Sequence, residues 1–436
     1  MSDILSSLFH FETCCTELGV KPHPYISKML DKEKDQSALA QAKGEEFNSS
    51  MHLYLAGNNQ LLCEKRFTDE DCPLLAKFLD KNSFITSVDL RYNNITDAGA
   101  KVLGNMLAEN TTLKELNLMC NDIGPAGAES LAKALHTNET LRLLRLNGNK
   151  LETKEHKGGM HFAQALQINT SLEHLDLGDT DLRTESVIAL GTVLLHNSTI
   201  KSINVNRPIL FTHMEEPTVH FAKMLKVNTT IKEIHLEKYD MRDFGAFRLA
   251  ENLMHNFTLT YINLSCNRIT RDGTKELAKV LQHNTGLETL DLGYNRLEDD
   301  GAMHIAEAIT HCNTTLKCLV IVHNNISSPG LCAIADAMKT NMSLTNVYIW
   351  GNNHEEPACI AFDNLIKTDR LDMRNTDVQP YIVDGVTYLC ELNHGIRRHY
   401  YYAGVYGDDV PEWQPRGPNP RSSRSSDSIP FSSFEL

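Results

Sequence analysis

LKELNLMCNDIGPAGAESLAKALHTN, residues 113–138, is the stretch from which the fold follows. Leu113, Leu116 and Leu118 stand in the order L-x-x-L-x-L, and Asn121 comes three residues later. Ile123 and Gly127 follow, then a run with Leu131, Ala132 and Leu135 on one helical face. The unit closes on Asn138, and Leu141 begins it again. Alternating apolar spacing that gives way to helical spacing within one short unit predicts a strand followed by a helix. A unit this short cannot bury its own apolar face, so it must stack on copies of itself.

The residue in the place of Asn121 marks how far the stacking runs. It is Asn58, Asn93, Asn121 and Asn149, then Thr180, Pro208 and Tyr239, then Asn267, Asn295, Asn324 and Asn352. Differences between neighbours are 35, 28, 28, 31, 28, 31, 28, 28, 29 and 28, which describes eleven tandem repeats. The pattern resembles the leucine-rich repeats of ribonuclease-inhibitor type, the long subclass with a full helix per repeat. That resemblance implies an α/β solenoid, a horseshoe with a parallel sheet on its concave face and helices on its convex face. It assigns residues 49–367 to the solenoid. Residues 1–48 are expected to form a helical cap, with Leu8, Phe9 and Phe11 on one helix and Tyr25, Ile26, Met29 and Leu30 on a second, because the first repeat would otherwise expose its apolar edge. Residues 368–410 are expected to cap the other end with a hairpin turning at Asp384-Gly385. The Pro-, Ser- and Arg-rich residues 411–436 have little to bury and are expected to be disordered.

Composition narrows the function. Lys and Arg number 42 against 56 Asp and Glu, a net charge of −14, which argues against nucleic acid or an anionic membrane as partner. No window is long and apolar enough to span a bilayer, and the amino terminus lacks the basic and apolar regions of a secretory signal. Eleven cysteines without paired spacing fit reduced thiols in an intracellular compartment. The N-x-S/T sites at Asn110, Asn138, Asn169, Asn197, Asn228, Asn256, Asn313 and Asn341 recur at one place in each repeat. They are read as corners, Asn being tolerant of the left-handed conformation that ends a helix, and not as glycan sites.

No phosphate-binding loop, nucleophile elbow or H-E-x-x-H motif is present, so no catalytic residue, metal or cofactor is expected. The expected site is the concave face, where the residues between the strand leucines point outward. Its middle carries Arg207, Glu233, His235 and Glu237, acidic enough to suit a basic partner. Its carboxy-terminal end carries Tyr261, Asp291, Tyr294, His323, Tyr348 and Trp350, and Tyr and Trp are frequent interface anchors. Packing of Trp350 beneath the hairpin is the competing expectation. Irregular loops after Asn149 and Asn206 mark a second place where function could sit.

A non-enzymatic scaffold binding proteins through this face is the leading reading. The repeat phasing and the run VDGVTYLCELNHGIRRHYYY, residues 383–402, are similar to those of a group of intracellular leucine-rich-repeat proteins. That resemblance implies association with ciliary or flagellar axonemal complexes, or alternatively with the nucleus and nucleolus. Ran-type GTPase activation, which would enlist Arg207 or Arg91, is a less favoured alternative, since a shared fold is analogy only. Ribonuclease inhibition ranks last, because the repeat lengths here do not alternate strictly.

Overall fold

The computed structural model describes residues 2–43, 50–58, 66–80, 82–210 and 215–392. Helices α1 (Ser2–Leu18) and α2 (Pro24–Lys43) come first. Strands β1 (Met51–Tyr54), β2 (Ile85–Asp89), β3 (Glu115–Asn117), β4 (Leu143–Arg145), β5 (His174–Asp176) and β6 (Ser202–Asn204) follow in the first half of the solenoid. They alternate with α3 (Cys72–Asp80), α4 (Asp97–Glu109), α5 (Pro125–Ala134), α6 (Gly158–Leu166) and α7 (Thr184–Val193). The second half has β7 (Glu233–His235), β8 (Tyr261–Asn263), β9 (Thr289–Asp291), β10 (Cys318–Val320) and β11 (Asn346–Tyr348). Its helices are α8 (Glu216–Val227), α9 (Asp243–Leu253), α10 (Arg271–His283), α11 (Glu298–His311), α12 (Ser328–Thr340) and α13 (Glu356–Lys367).

Among the described residues the eleven strands make one parallel sheet in chain order, and each helix from α3 to α13 packs on its sequence neighbours. The expected solenoid is therefore the observed fold. Leu116, Leu144, Leu175, Ile203, Ile234, Ile262, Leu290, Leu319 and Val347 form one row in register, buried between sheet and helices.

Three side-chain ladders hold the repeats together, because each turn leaves backbone groups that no helix or strand satisfies. The consensus Asn at the strand end supplies the first. Asn121 donates from Nδ2 to the carbonyls of Leu118 and, one repeat back, Leu90 (3.0 Å each), while its Oδ1 accepts from Ile95 N at 3.1 Å. Asn149, Asn267, Asn295 and Asn352 repeat this pattern. Thr180, Pro208 and Tyr239 interrupt it, and Tyr239 instead sits buried against Phe221 with its ring edge-on at 6.2 Å.

The Asn of each N-x-S/T site supplies the second ladder. Asn138 Nδ2 donates to the carbonyls of Leu107 (2.7 Å) and Asn110 (2.9 Å), and its Oδ1 accepts from Thr140 N and Leu141 N. These residues are not left-handed, contrary to expectation: Asn110 has φ −72° and ψ 129°, Asn228 has φ −71° and ψ 128°. Asn is selected for its two-sided amide, not for its backbone tolerance. The amide nitrogen that would carry a glycan is already bonded to a carbonyl of the preceding repeat.

An acid supplies the third. Asp97 Oδ1, in the first turn of α4, accepts from Gly124 N and Gly127 N at the start of α5, both at 2.7 Å. Asp69, Asp243 and Asp299 do the same for α4, α10 and α12. These four helices are thus capped from the repeat before them, and a carboxylate at a helix amino terminus also complements the dipole.

At the amino-terminal end Phe11, Cys14 and Cys15 of α1 are buried, α1 packs on α3, and Phe11 meets Phe78 edge-on at 5.1 Å. Phe9, expected on the apolar face, is exposed. At the other end Asp377 accepts from Ile349 N at 2.8 Å, and Arg370 donates to the carbonyls of Met338, Leu344 and Asn341. Antiparallel β12 (Val378–Val383) and β13 (Val386–Glu391) form the expected hairpin, with Asp384 (φ 52°) and Gly385 (φ 82°) both left-handed as a tight primed turn demands. The hairpin packs on α13; the segment that contacts β11 is the 3-10 turn Met373–Asn375. The expectation of a disordered tail over residues 411–436 lies outside the described residues, as does part of the irregular loop after Asn206.

Candidate functional site on the concave face

Parallel pairing in strict register places equivalent side chains side by side. One concave row runs Asn117, Arg145, Asp176, Asn204, His235, Asn263, Asp291, Val320, Tyr348. Neighbouring strands lie only about 4.8 Å apart, so these side chains bury one another. Outward-pointing is therefore not the same as exposed, which corrects the expectation for half of the expected site residues. Tyr261 is 3% exposed, Tyr348 6% and His235 1%, and Glu233 and Asp291 are buried too. Arg91, also expected to be available, is 1% exposed beside Asp89 (3.4 Å) and presents no free guanidinium.

Much of this row has a local task. Asp291 Oδ1 accepts from Gly293 N at 2.8 Å, and Asn117, Asp176, Asn204 and Asn263 each accept in the same way from the amide two residues on. The short Asp or Asn side chain closes the turn that ends the strand. Glu233 and His235 bond to each other at 2.7 Å, and the His235 ring lies 4.8 Å from Tyr261. Burial lowers the pKa of His174 in β5, against the nearby carboxylates of Glu233 and Glu173.

The exposed part of the face is the rim just beyond the strands. In ten successive repeats the residue before the ladder position is left-handed: Tyr92, Cys120, Gly148, Asp179, Arg207, Lys238, Cys266, Tyr294, His323 and Gly351. Only two are glycine, although the conformation costs other residues about 1–2 kcal/mol. The backbone bond to the next repeat holds it, as in Tyr294 N to Val322 O (2.8 Å) and Arg207 N to Glu237 O (2.8 Å). Asp179, Arg207, Lys238, Tyr294 and His323 are exposed, and Glu237 and Trp350 are half-buried. Arg207 pairs with Asp179 (3.1 Å), Lys238 with Glu237 (3.3 Å), and Tyr294 stacks on His323 at 4.6 Å and 14°. The His323 ring packs over Gly351, where an added Cβ would fall 2.2 Å from it, so a side chain there would displace the ring. Trp350 packs against the core with its ring 5.5 Å from that of His354, and its backbone N–H donates to Asp377.

Rim and strands line a half-open cavity of about 360 Å³. Asp179, Arg207, Glu237, Lys238, Tyr261, Asp291 and Tyr294 line it, with Val320 and Val322. Cys266, between Glu237 and Asp291, has its thiol pushed up to about 11 by burial first and Glu237 second, so it stays protonated. Of the expected site residues the cavity brings together Arg207, His235, Glu237, Tyr261, Asp291 and Tyr294; Glu233, His323, Tyr348 and Trp350 do not line it. Sequence reasoning passed over Val320, Val322 and Gly293. The signal for the two valines was the unbroken apolar run 318–322, which lacks alternation because both its faces are covered.

A Leucine Rich repeat family profile matches residues 81–104, 109–132, 169–191, 255–278, 283–306 and 312–335. An internalin structure from Listeria monocytogenes is 15% identical, covers 67% of this chain and 81% of its own, and has a TM-score of 0.37, too low to carry an argument. Leucine-rich repeat-containing protein 34 of Homo sapiens is 52% identical over 208 residues, 48% of this chain and 45% of that protein. Its Mus musculus counterpart is 47% identical over 394 residues, 90% of this chain and 93% of the relative. With eleven stacked repeats and that identity along nearly the whole solenoid, the chain belongs to the leucine-rich repeat-containing protein 34 family.

Proposed function

We propose that this leucine-rich-repeat protein is a non-enzymatic scaffold that binds protein partners through the rim of its concave face. The observation that carries the reading is the row of exposed, chemically mixed side chains Asp179, Arg207, Lys238, Tyr294 and His323, held at fixed spacing by backbone bonds between repeats. A rigid row that mixes ion pairs with aromatic rings offers both anchoring area and electrostatic register to a partner. The location we favour is the ciliary or flagellar axoneme, on the resemblance drawn from the repeat phasing and residues 383–402; a nuclear or nucleolar location is the alternative.

The test is proximity labelling in ciliated or germ-line cells with wild type and an Arg207→Asn/Lys238→Asn/Tyr294→Asn triple variant. Asn tolerates the left-handed conformation, so the variant strips the side chains and spares the turn. The expected result is a defined protein set for wild type that the folded variant loses. A set unchanged by the variant overturns the rim as the binding surface, and a nucleolar set overturns the axonemal location alone.

A further inference from the structure

We infer that an opened corner between the fifth and sixth repeats is a binding site for an arginine side chain of a protein partner. It lies on the edge where the chain enters the strands, away from the rim where it leaves them, and does not rest on the reading above. In the corner before it, Asn138 O accepts from Asn169 Nδ2 (3.0 Å) and Ser171 Oγ (3.3 Å). In the corner after it, Asn197 O accepts from Asn228 Nδ2 (2.9 Å) and Thr230 Oγ1 (3.4 Å). Between them the pattern lapses. Asn197 Nδ2 donates to Leu166 O alone (3.0 Å) and Thr199 Oγ1 turns back to Asn197 Oδ1 (3.3 Å), so among the described residues nothing donates to Asn169 O. Asn197 is accordingly half-buried, whereas Asn110, Asn138, Asn169, Asn228, Asn256, Asn313 and Asn341 are buried.

The gap is a half-open cavity of about 340 Å³, lined among others by Leu166, Gln167, Thr170, Val193, His196 and Ser198. Gln167, Thr170, His196 and Ser198 are exposed, and their side chains have no hydrogen-bond partner among the described residues. Leu166 and Val193 add hydrocarbon of the kind against which a long cationic side chain lays its stem. Helices α6 and α7 both end here, and helix carboxyl ends present carbonyls and a partial negative charge. Glu173 and Lys201, which lead into the strands of these two repeats, pair with each other at 2.6 Å, so recognition falls to carbonyls and side-chain oxygens. Such a site suits a cation with several donors. The chain holds its own example: beyond the last repeat Arg370 donates to Met338 O (2.6 Å), Leu344 O (2.8 Å) and Asn341 O. Met338 and Asn341 stand in their repeat where Leu166 and Asn169 stand here. A guanidinium therefore fits the carbonyls of this corner, and its planar five-donor fork serves them better than the compact ammonium of Lys.

The chain also supplies a variant that closes the gap. The turn position of Ser198 is Phe257 three residues before Thr260, in a corner whose ladder bonds are intact, and Phe257 is 57% exposed there. Ser198→Phe therefore keeps the turn and covers the cavity. The probe is N-acetyl-arginine methylamide, titrated into the full-length protein with its valine and threonine methyl groups labelled for NMR. It is expected to shift the Val193 and Thr170 signals saturably. The citrulline and lysine counterparts should bind at least about tenfold more weakly, as the loss of charge-assisted hydrogen bonds requires. Ser198→Phe should abolish the shifts while the remaining methyl signals report an unchanged fold, and Thr314→Phe, the same change at a distant corner, should retain them. No shift in wild type, an equal response to the citrulline or lysine probe, or a response that survives Ser198→Phe overturns the site. The Arg207→Asn/Lys238→Asn/Tyr294→Asn variant should bind the probe as wild type does, so this site and the rim stand or fall separately.

Discussion

Tyr239 shows what happens when a single ladder residue is replaced. Asn at this position ties two repeats through three or more hydrogen bonds, as Asn267 does with Leu236 O, Leu264 O, Tyr239 N and Met241 N. Tyr239 substitutes area for amide bonds: its ring fills the space against Phe221, and burial drives its phenol well above the ordinary value. The hydroxyl is buried without a hydrogen-bond partner. A buried unsatisfied polar group costs about 1–3 kcal/mol. Tyr239→Phe is therefore expected to leave the protein as stable or to raise its stability by about 1 kcal/mol, as read by urea denaturation. A loss of stability would mean that the hydroxyl is satisfied after all. That the residue replaces Asn is plain from the repeat spacing. That it turns inward as a core residue is not, because a Tyr in a turn carries no sign of which side of the sheet it will enter.

At the scale of elements, helices and strands are short and depend on their neighbours. Sheet strands of three to five residues and helices of nine to fourteen residues, from α3 to α13, are too brief to persist alone. The ladder of acids makes this dependence specific, since the cap of α5 belongs to α4. Asp97→Ala removes the acceptor for Gly124 N and Gly127 N together. The expected cost is about 1–2 kcal/mol, in the range of a lost N-cap. Asp97→Asn keeps an acceptor, gives up the charge facing the helix dipole, and should cost less. Equal losses in the two variants would assign the whole effect to electrostatics. The strand and helix order was legible from the L-x-x-L-x-L motif and its helical sequel. The capping partner was not, because a conventional cap precedes its own helix and this one lies about a repeat away.

For the whole molecule, stability is expected to follow the continuity of the ladders. A solenoid's stability is approximately a sum of repeat and nearest-interface contributions. The strand-end Asn ladder is broken at Thr180, Pro208 and Tyr239, and the terminal carbonyls of the other ladder are closed by Arg370. Hydrogen exchange should therefore find weaker protection in repeats five to seven than in repeats two to four or eight to ten. Arg370→Ala should raise exchange in residues 341–367 and leave residues 85–150 unchanged. Uniform protection along the chain, or a change spread over all repeats in the variant, would mean that the solenoid opens as one cooperative unit.

The repeat number, the order of the sheet, the hairpin turn and the residues of the concave rows all follow from spacing, because periodic burial is a one-dimensional property of the chain. The tyrosines and carboxylates of the candidate site were named from those rows. Which of them reach solvent was settled only in three dimensions. Strands packed at sheet spacing bury their own concave side chains, so Tyr261, Tyr348 and His235 are covered while Tyr294 stands 54% exposed. The cavity belongs to the tertiary structure in the same way: Asp291, Gly293 and Val322 meet across repeats, at distances fixed by stacking and not by the order of residues in any one repeat.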